Sequence, residues 1–283
     1  MKYHFISLFL LMSIYIKVQS QTLQANNISK PFVLGIVNEI ASQELHENRI
    51  INIYFPEGYR QEDTVRYPVI YLLDGSANED FIHIVGLVQF NSFEWINRIP
   101  KSIVVGIATV DRRRDFTFPT TIASDLKKYP STGHSQSFIA FIEKELLPFI
   151  DANYKTSATK TIIGQSLGGL LAAEILLTKP NLFSKYCIVS PSIWWNNGSL
   201  LKAKNVNLAQ VKSPIQVYIG VGKEGLTPTA IPRIMQDDAR DLAKKIEASN
   251  QKMLQVHFDF LPKENHATIL HQAVSNAIPL IFP

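Results

Sequence analysis

The chain of 283 residues is 46% hydrophobic and 18% charged, a composition that suits one globular α/β-sized domain or two small ones and excludes a disordered tail. Its single cysteine, Cys187, can neither close an intramolecular disulfide nor build a cysteine zinc site, so disulfide scaffolds and zinc ribbons are excluded as well. The formal charge of +4 includes Lys2 and Lys17; without them it is +2, and no basic run exceeds Arg112-Arg113-Arg114, so no nucleic acid is expected as a partner.

The first residues read as an export signal. A short cationic start, Met1-Lys2-Tyr3-His4, precedes an apolar run at 5–16, too short for a bilayer span of about 20 residues. Val18 and Ser20 fill the −3 and −1 places of a cleavage site, so residues 1–20 are expected to be removed and residues 21–283 to form one exported domain, periplasmic or secreted, with no membrane span.

Strands are then predicted at 32–36, 49–54, 69–73, 103–107, 161–163, 186–190, 215–221 and 256–260, with helical stretches between them. The first two alternate in polarity and suit an antiparallel edge; the later ones are short, continuous and suited to burial on both faces. Phe138, Ile142, Leu146 and Phe149 recur at helical spacing, and Pro148 is expected to kink or end that helix near Leu147. Residues 170–177 are apolar except for Glu174, which predicts a buried helix. Residues 237–249 are amphipathic, with Ala239, Leu242, Ala243 and Ile246 inward, and a last helix at 268–278 is expected to stop at Pro279. No repeat or long linker divides the chain, so the pattern gives one mostly parallel, doubly wound α/β sheet with an antiparallel N-terminal edge.

The sharpest local signal is Gly164-Gln165-Ser166-Leu167-Gly168-Gly169, directly after the strand at 161–163 and directly before the buried helix. A nucleophilic serine needs this strand–turn–helix context: a tight strained turn lifts its hydroxyl out of the sheet edge, and flanking glycines remove Cβ clashes. The amide of Leu167, at a helix N-terminus, then faces the position where a carbonyl oxygen becomes negative. A second oxyanion donor is expected from the amide of Ser76, in the turn Asp74-Gly75-Ser76 after the strand at 69–73; a turn in which Asp74 satisfies its own backbone is compatible with that role.

A serine hydroxyl needs a base, expected in a loop after the last strand. Of the seven histidines only His266 meets this condition, in Pro262-Lys263-Glu264-Asn265-His266; His4 falls in the expected export segment, His46, His83 and His134 come too early, His257 lies inside the strand and His271 inside the final helix. The orienting acid should follow the strand before the last, which selects Glu224; a Ser–His dyad without it remains the alternative. Asp237, Asp238 and Asp241 read instead as early-helix residues favourable to the dipole.

The segments Tyr67-Pro68-Val69-Ile70-Tyr71-Leu72-Leu73-Asp74-Gly75, 164–169, Ser190-Pro191-Ser192-Ile193-Trp194-Trp195 and Glu264-Asn265-His266 resemble the esterase D superfamily of α/β-hydrolases, most of all the bacterial ferric-siderophore trilactone esterases. The resemblance spans nearly the whole mature chain. It implies an α/β-hydrolase fold, no cofactor, Ser166 as nucleophile and His266 as base, while leaving the acid open. The superfamily also holds feruloyl and acetyl-xylan esterases, S-formylglutathione hydrolases and mycolyl transferases, so it defines the chemistry more closely than the substrate.

Substrate contacts are expected just past the strand ends. Trp194 and Trp195 could wall an aryl or acyl group, with at most one facing the site, and Arg112, Arg113 and Arg114, after the strand at 103–107, could form a basic rim for an anionic ligand, with Arg113 and Arg114 the candidate contacts; solvated arginines paired with Asp111 and Asp115 are the plain alternative. No metal-ligand spacing and no phosphate-cradling loop is present. The expected activity is hydrolysis of a small-molecule ester by a serine enzyme. The alternatives are a feruloyl or acetyl sugar esterase or an acyltransferase of the same fold, and, in a different class, a non-catalytic binding protein on a hydrolase scaffold. The sequence gives no oligomeric state.

Overall fold

The computed structural model describes residues 29–204, 207–227, 229 and 231–282. The export segment expected at residues 1–20 lies outside them. The chain from Leu34 onward packs as one compact unit. Its strands are β1 (Ile36–Ser42), β2 (Glu47–Tyr54), β3 (Tyr67–Leu72), β4 (Ile103–Ile107), β5 (Thr156–Gln165), β6 (Lys185–Val189), β7 (Ile215–Gly222) and β8 (Leu254–Leu261). The helices are α1 (Phe81–Asn91), α2 (Arg112–Phe116), α3 (Ala123–Lys128), α4 (Ser135–Phe141), α5 (Leu147–Asn153), α6 (Leu167–Thr178), α7 (Trp195–Lys202), α8 (Met235–Glu247) and α9 (Ile269–Ile281).

The strands join in the order β1-β2-β4-β3-β5-β6-β7-β8. β1 and β2 pair antiparallel, β2 pairs antiparallel with β4, and every later pair is parallel. This is the mostly parallel α/β-hydrolase sheet with an antiparallel N-terminal edge. Its central strands are apolar at consecutive positions because both faces are covered. Val69, Tyr71, Tyr186, Ile188, Val217 and Ile219 pack toward α4, α5, α6 and α8. Ile70, Leu72, Cys187, Val189 and Tyr218 pack toward α1 and α9. Burial pushes the Cys187 thiol up to about 12, so it rests as a small apolar side chain rather than as a thiolate.

Several boundaries depart from the sequence expectation. The first strand begins at Ile36 rather than at 32, because its register is set by pairing Ile36 with Ile53 across to Ser42 with Glu47. β5 starts at Thr156, five residues early: its polar first half pairs with β3 without contributing apolar residues to the pattern. β8 is the far edge strand and is only half-buried.

Neither proline ends its helix. A π-helical turn at Ile142–Leu146 precedes Pro148, and the Leu147 amide bonds the Ile142 carbonyl. The widened turn absorbs the missing amide donor, so α5 runs on to Asn153. Pro279 lies inside α9 on its exposed side, and the Ser275 carbonyl that loses its donor is on a half-exposed residue that water can reach.

Candidate active site

Of the side chains expected to carry the reaction, Ser166 stands just past the carboxyl end of β5, Glu224 past that of β7 and His266 past that of β8; β6, lying between β5 and β7, adds Ser190 and Ser192. Ser166 has φ 60° and ψ −116°, a strained conformation for a residue with a side chain, enforced by the reversal from β5 into α6. Two glycines permit that reversal. A Cβ on Gly164 would lie 2.4 Å from the Gly168 carbonyl oxygen, and one on Gly169 would lie 2.9 Å from the Val189 oxygen. Leu167 is the first residue of α6, where amides have no acceptor within the helix.

The hydroxyl of Ser166 is 3.0 Å from His266 Nε2. On the other side of the imidazole, Nδ1 is 2.6 Å from Glu224 Oε2. With Nδ1 as the donor to Glu224, Nε2 carries the lone pair that faces Ser166. Glu224 is 4% exposed while His266 is 45% exposed, so the carboxylate is sheltered and the imidazole opens to the site. Burial acts to raise the Glu224 carboxyl, but hydrogen bonds from His266 and Ser190, the histidine charge and the Gly222 amide together hold it below the ordinary carboxylate range. The loops bearing the acid and the base are tied directly, the Lys223 amide donating to the Glu264 carbonyl at 2.8 Å.

Two serines to which the sequence assigned no role complete the surroundings. Ser190 is fully buried and donates its hydroxyl to Glu224 Oε1. Ser192, 1% exposed, has its hydroxyl 3.3 Å from Ser166 Oγ and its amide bonded to the Ser166 carbonyl at 2.9 Å. A serine after a strand is too common to be noticed; only the closeness of β5, β6 and β7 gives these two a role.

The turn after β3 runs through Asp74, Gly75 and Ser76. Asp74, not Gly75, adopts the left-handed backbone, with φ 55°. Gly75 is required by contact, since a Cβ there would lie 2.4 Å from the Gly106 α-carbon. The Asp74 carboxylate does not serve its own backbone: it accepts from Thr109 Oγ1 at 3.0 Å and from Arg112 Nε at 2.9 Å. Ser76 follows, half-buried, its carbonyl accepting from the Glu79 amide.

A cavity of about 520 Å³ opens over the serine, lined by Ser166, Trp194, Leu226, Met235 and His266 among others. Of the two tryptophans only Trp194 lines it; Trp195 is 1% exposed and donates Nε1–H to the Phe118 carbonyl. Arg113 and Arg114 are not among its lining residues. Arg114 is held by Glu47 at 2.6 Å and Asp115 at 2.8 Å, and Arg113 lies over the Tyr129 ring at 3.9 Å. Among the described residues no group of three His, Cys, Asp or Glu side chains could hold a metal ion, and no helix is long and apolar enough to cross a membrane.

Comparison with known proteins gives a consistent picture. The family described as "Putative esterase" matches residues 42–267. Ferri-bacillibactin esterase BesA of Bacillus subtilis (strain 168) is 32% identical over 248 residues, spanning 82% of this chain and 85% of that protein. An IroE-like serine hydrolase from Shewanella oneidensis superposes with a TM-score of 0.75 at 30% identity, covering 88% of this chain and 80% of the other. The BES protein from Bacillus cereus gives 0.77 at 29% identity, covering 90% and 98%.

Proposed function

Because the chain belongs to the putative esterase family, we propose that it is an exported serine esterase whose natural substrate is a ferric-siderophore trilactone. The single observation that carries the serine chemistry is the unbroken contact from Ser166 Oγ to His266 Nε2 at 3.0 Å and from His266 Nδ1 to Glu224 at 2.6 Å. The siderophore assignment is supported by the match to the ferri-bacillibactin esterase of Bacillus subtilis, 32% identical over most of both chains.

In this reading Ser166 attacks an ester carbonyl while His266 Nε2 takes its proton. The amides of Leu167 and Ser76 receive the oxyanion, and the Glu224 carboxylate accepts the Nδ1 proton and balances the imidazolium. The imidazolium then protonates the departing alcohol. A water molecule, deprotonated by the same nitrogen, attacks the acyl-serine, and its proton returns to Ser166 as the acid leaves. Trp194, Leu226 and Met235 give the cavity a largely apolar wall suited to an aryl-bearing acyl group. The signal pattern at residues 1–20 supports a mature chain of residues 21–283, one hydrolase domain acting outside the cytoplasm.

The test of substrate class is a side-by-side assay of ferric catecholate trilactones, feruloyl sugars and acetylated sugars. Fastest turnover, by kcat/KM, is expected on the trilactones. Preference for either sugar ester would overturn the siderophore assignment and leave the esterase intact.

A further inference from the structure

Of the three consecutive arginines, the one turned toward the reacting serine is Arg112. Its Nε donates to both carboxylate oxygens of Asp74, at 2.9 and 3.0 Å, and its Nη2 donates to the Gln165 carbonyl at 2.9 Å. Gln165 immediately precedes Ser166, and its own side-chain amide donates to the carbonyl of His266. Asp74 opens the turn that leads to Ser76, and its carboxylate lies 3.4 Å from where a Cβ on Gly168 would stand. One guanidinium therefore fastens the turn after β3 to the turn that carries Ser166. Through the Gln165 amide it also reaches the loop that carries His266.

We propose that Arg112 is a positioning residue for ester hydrolysis, holding the Ser76 turn, Ser166 and the His266 loop in one fixed arrangement. The inference rests on the serine-esterase reading above. These three segments are far apart in sequence; backbone pairing joins β3 to β5 as far as the Leu73 amide on the Ile163 carbonyl, and the Arg112 fork carries that connection past the strand ends to the turns themselves. Reaction geometry is sensitive to displacements of about 1 Å, and a planar fork that bonds a carboxylate and a carbonyl at once sets both distance and angle. A lysine ammonium is a point charge without that fork and cannot reproduce it. Arg112 is not among the residues lining the cavity, so its removal should slow the chemistry more than it weakens substrate capture.

The test is steady-state kinetics on a short p-nitrophenyl ester with the full mature protein, comparing Arg112→Ala, Arg112→Lys, Gln165→Met and Ser166→Ala, each with its melting temperature. Arg112→Ala is expected to lower kcat by at least about ten-fold with KM changed less than about three-fold. Arg112→Lys should regain little of that loss, whereas free guanidinium ion at tens of millimolar should restore part of it in Arg112→Ala. The Arg112 side chain is 35% exposed, so the added ion can reach the space it leaves. Gln165→Met should also lower kcat, and combining it with Arg112→Ala should cost less than the two losses multiplied, because both break one connection. A kcat within about two-fold of wild type in Arg112→Ala, or in a folded Arg112→Lys should the alanine variant unfold, overturns the inference. If Ser166→Ala stays active, the serine reading fails and takes this inference with it. If Ser166→Ala is inactive while the Arg112 variants are fully active, the inference fails alone.

Discussion

At the scale of single residues, the arrangement turns on what holds His266 in one tautomer and one orientation. Glu224 does so from a sheltered position, supported by Ser190 and the Gly222 amide, and is kept deprotonated by those same partners. Replacing Glu224 by glutamine keeps the shape but removes the charge that balances the imidazolium, and its amide can present a donor where an acceptor is needed. The expected result is a fall in kcat of at least about ten-fold on a p-nitrophenyl ester; an effect under about two-fold would leave a Ser–His dyad. Ser166, His266 and Glu224 were legible in the sequence by different means. The serine has a local motif with a physical reason, whereas the other two are found only by their place after particular strands. The arginines show what linear proximity hides. Asp111 caps α2 by accepting from the Arg113 and Arg114 amides, and successive side chains on a helical turn diverge by about 100°. Arg112 is thereby sent toward Gln165, Arg113 toward Tyr129 and Arg114 toward Glu47, and no composition or spacing argument distinguishes the three.

At the scale of elements, the turn from β5 into α6 is the most demanding piece of the fold. Its glycines are not equivalent: a Cβ at Gly164 would strike the Gly168 backbone at 2.4 Å, while one at Gly168 would meet Leu73 and the Asp74 carboxylate at 3.4 Å, an ordinary contact. Gly164→Ala is therefore expected to destabilise the protein by about 1–3 kcal/mol and to lower activity, as overpacking against fixed backbone does. Gly168→Ala should stay within about 1 kcal/mol of wild type, helped by the helix propensity of alanine. Melting curves and kcat for the two variants decide this, and equal effects at both positions would refute it. Elements with strong apolar runs were read correctly, since burial on both faces leaves an unmistakable pattern. The strand edge and the stop at Pro279 were not, because β1 is placed by pairing rather than burial and because a solvated carbonyl lets α9 run past its proline, whereas the break expected near Leu147 is present as the π turn before Pro148.

At the scale of the whole molecule, the sheet order brings β5, β6, β7 and β8 side by side, and with them residues separated by up to 100 positions in the chain. Behind the reacting face, α6 carries Glu174, which is 6% exposed, accepts from Ser135 Oγ at 3.0 Å and leaves Oε2 without a partner. Burial raises its carboxyl from 4.5 to about 7, with the Ser135 bond opposing. A raised folded value in an acid means that stability is full below the unfolded value, near 4.5, and is lost as pH rises through about 7. The loss amounts to roughly 3 kcal/mol when titration is complete. Glu174→Gln should abolish that contribution, so denaturant midpoints of wild type and variant should be close at pH 5 and diverge by pH 8 with the variant the more stable. Parallel midpoints across that range would exclude Glu174 as the cause.

The central claim is that Ser166 forms the acyl intermediate. Mass spectrometry after treatment with a fluorophosphonate ester tests it most directly, because the reagent leaves a stable adduct on an activated serine. One equivalent is expected on the peptide containing Ser166, with simultaneous loss of ester hydrolysis and no labelling of Ser166→Ala. An adduct on another residue, or full labelling of Ser166→Ala, would contradict the account.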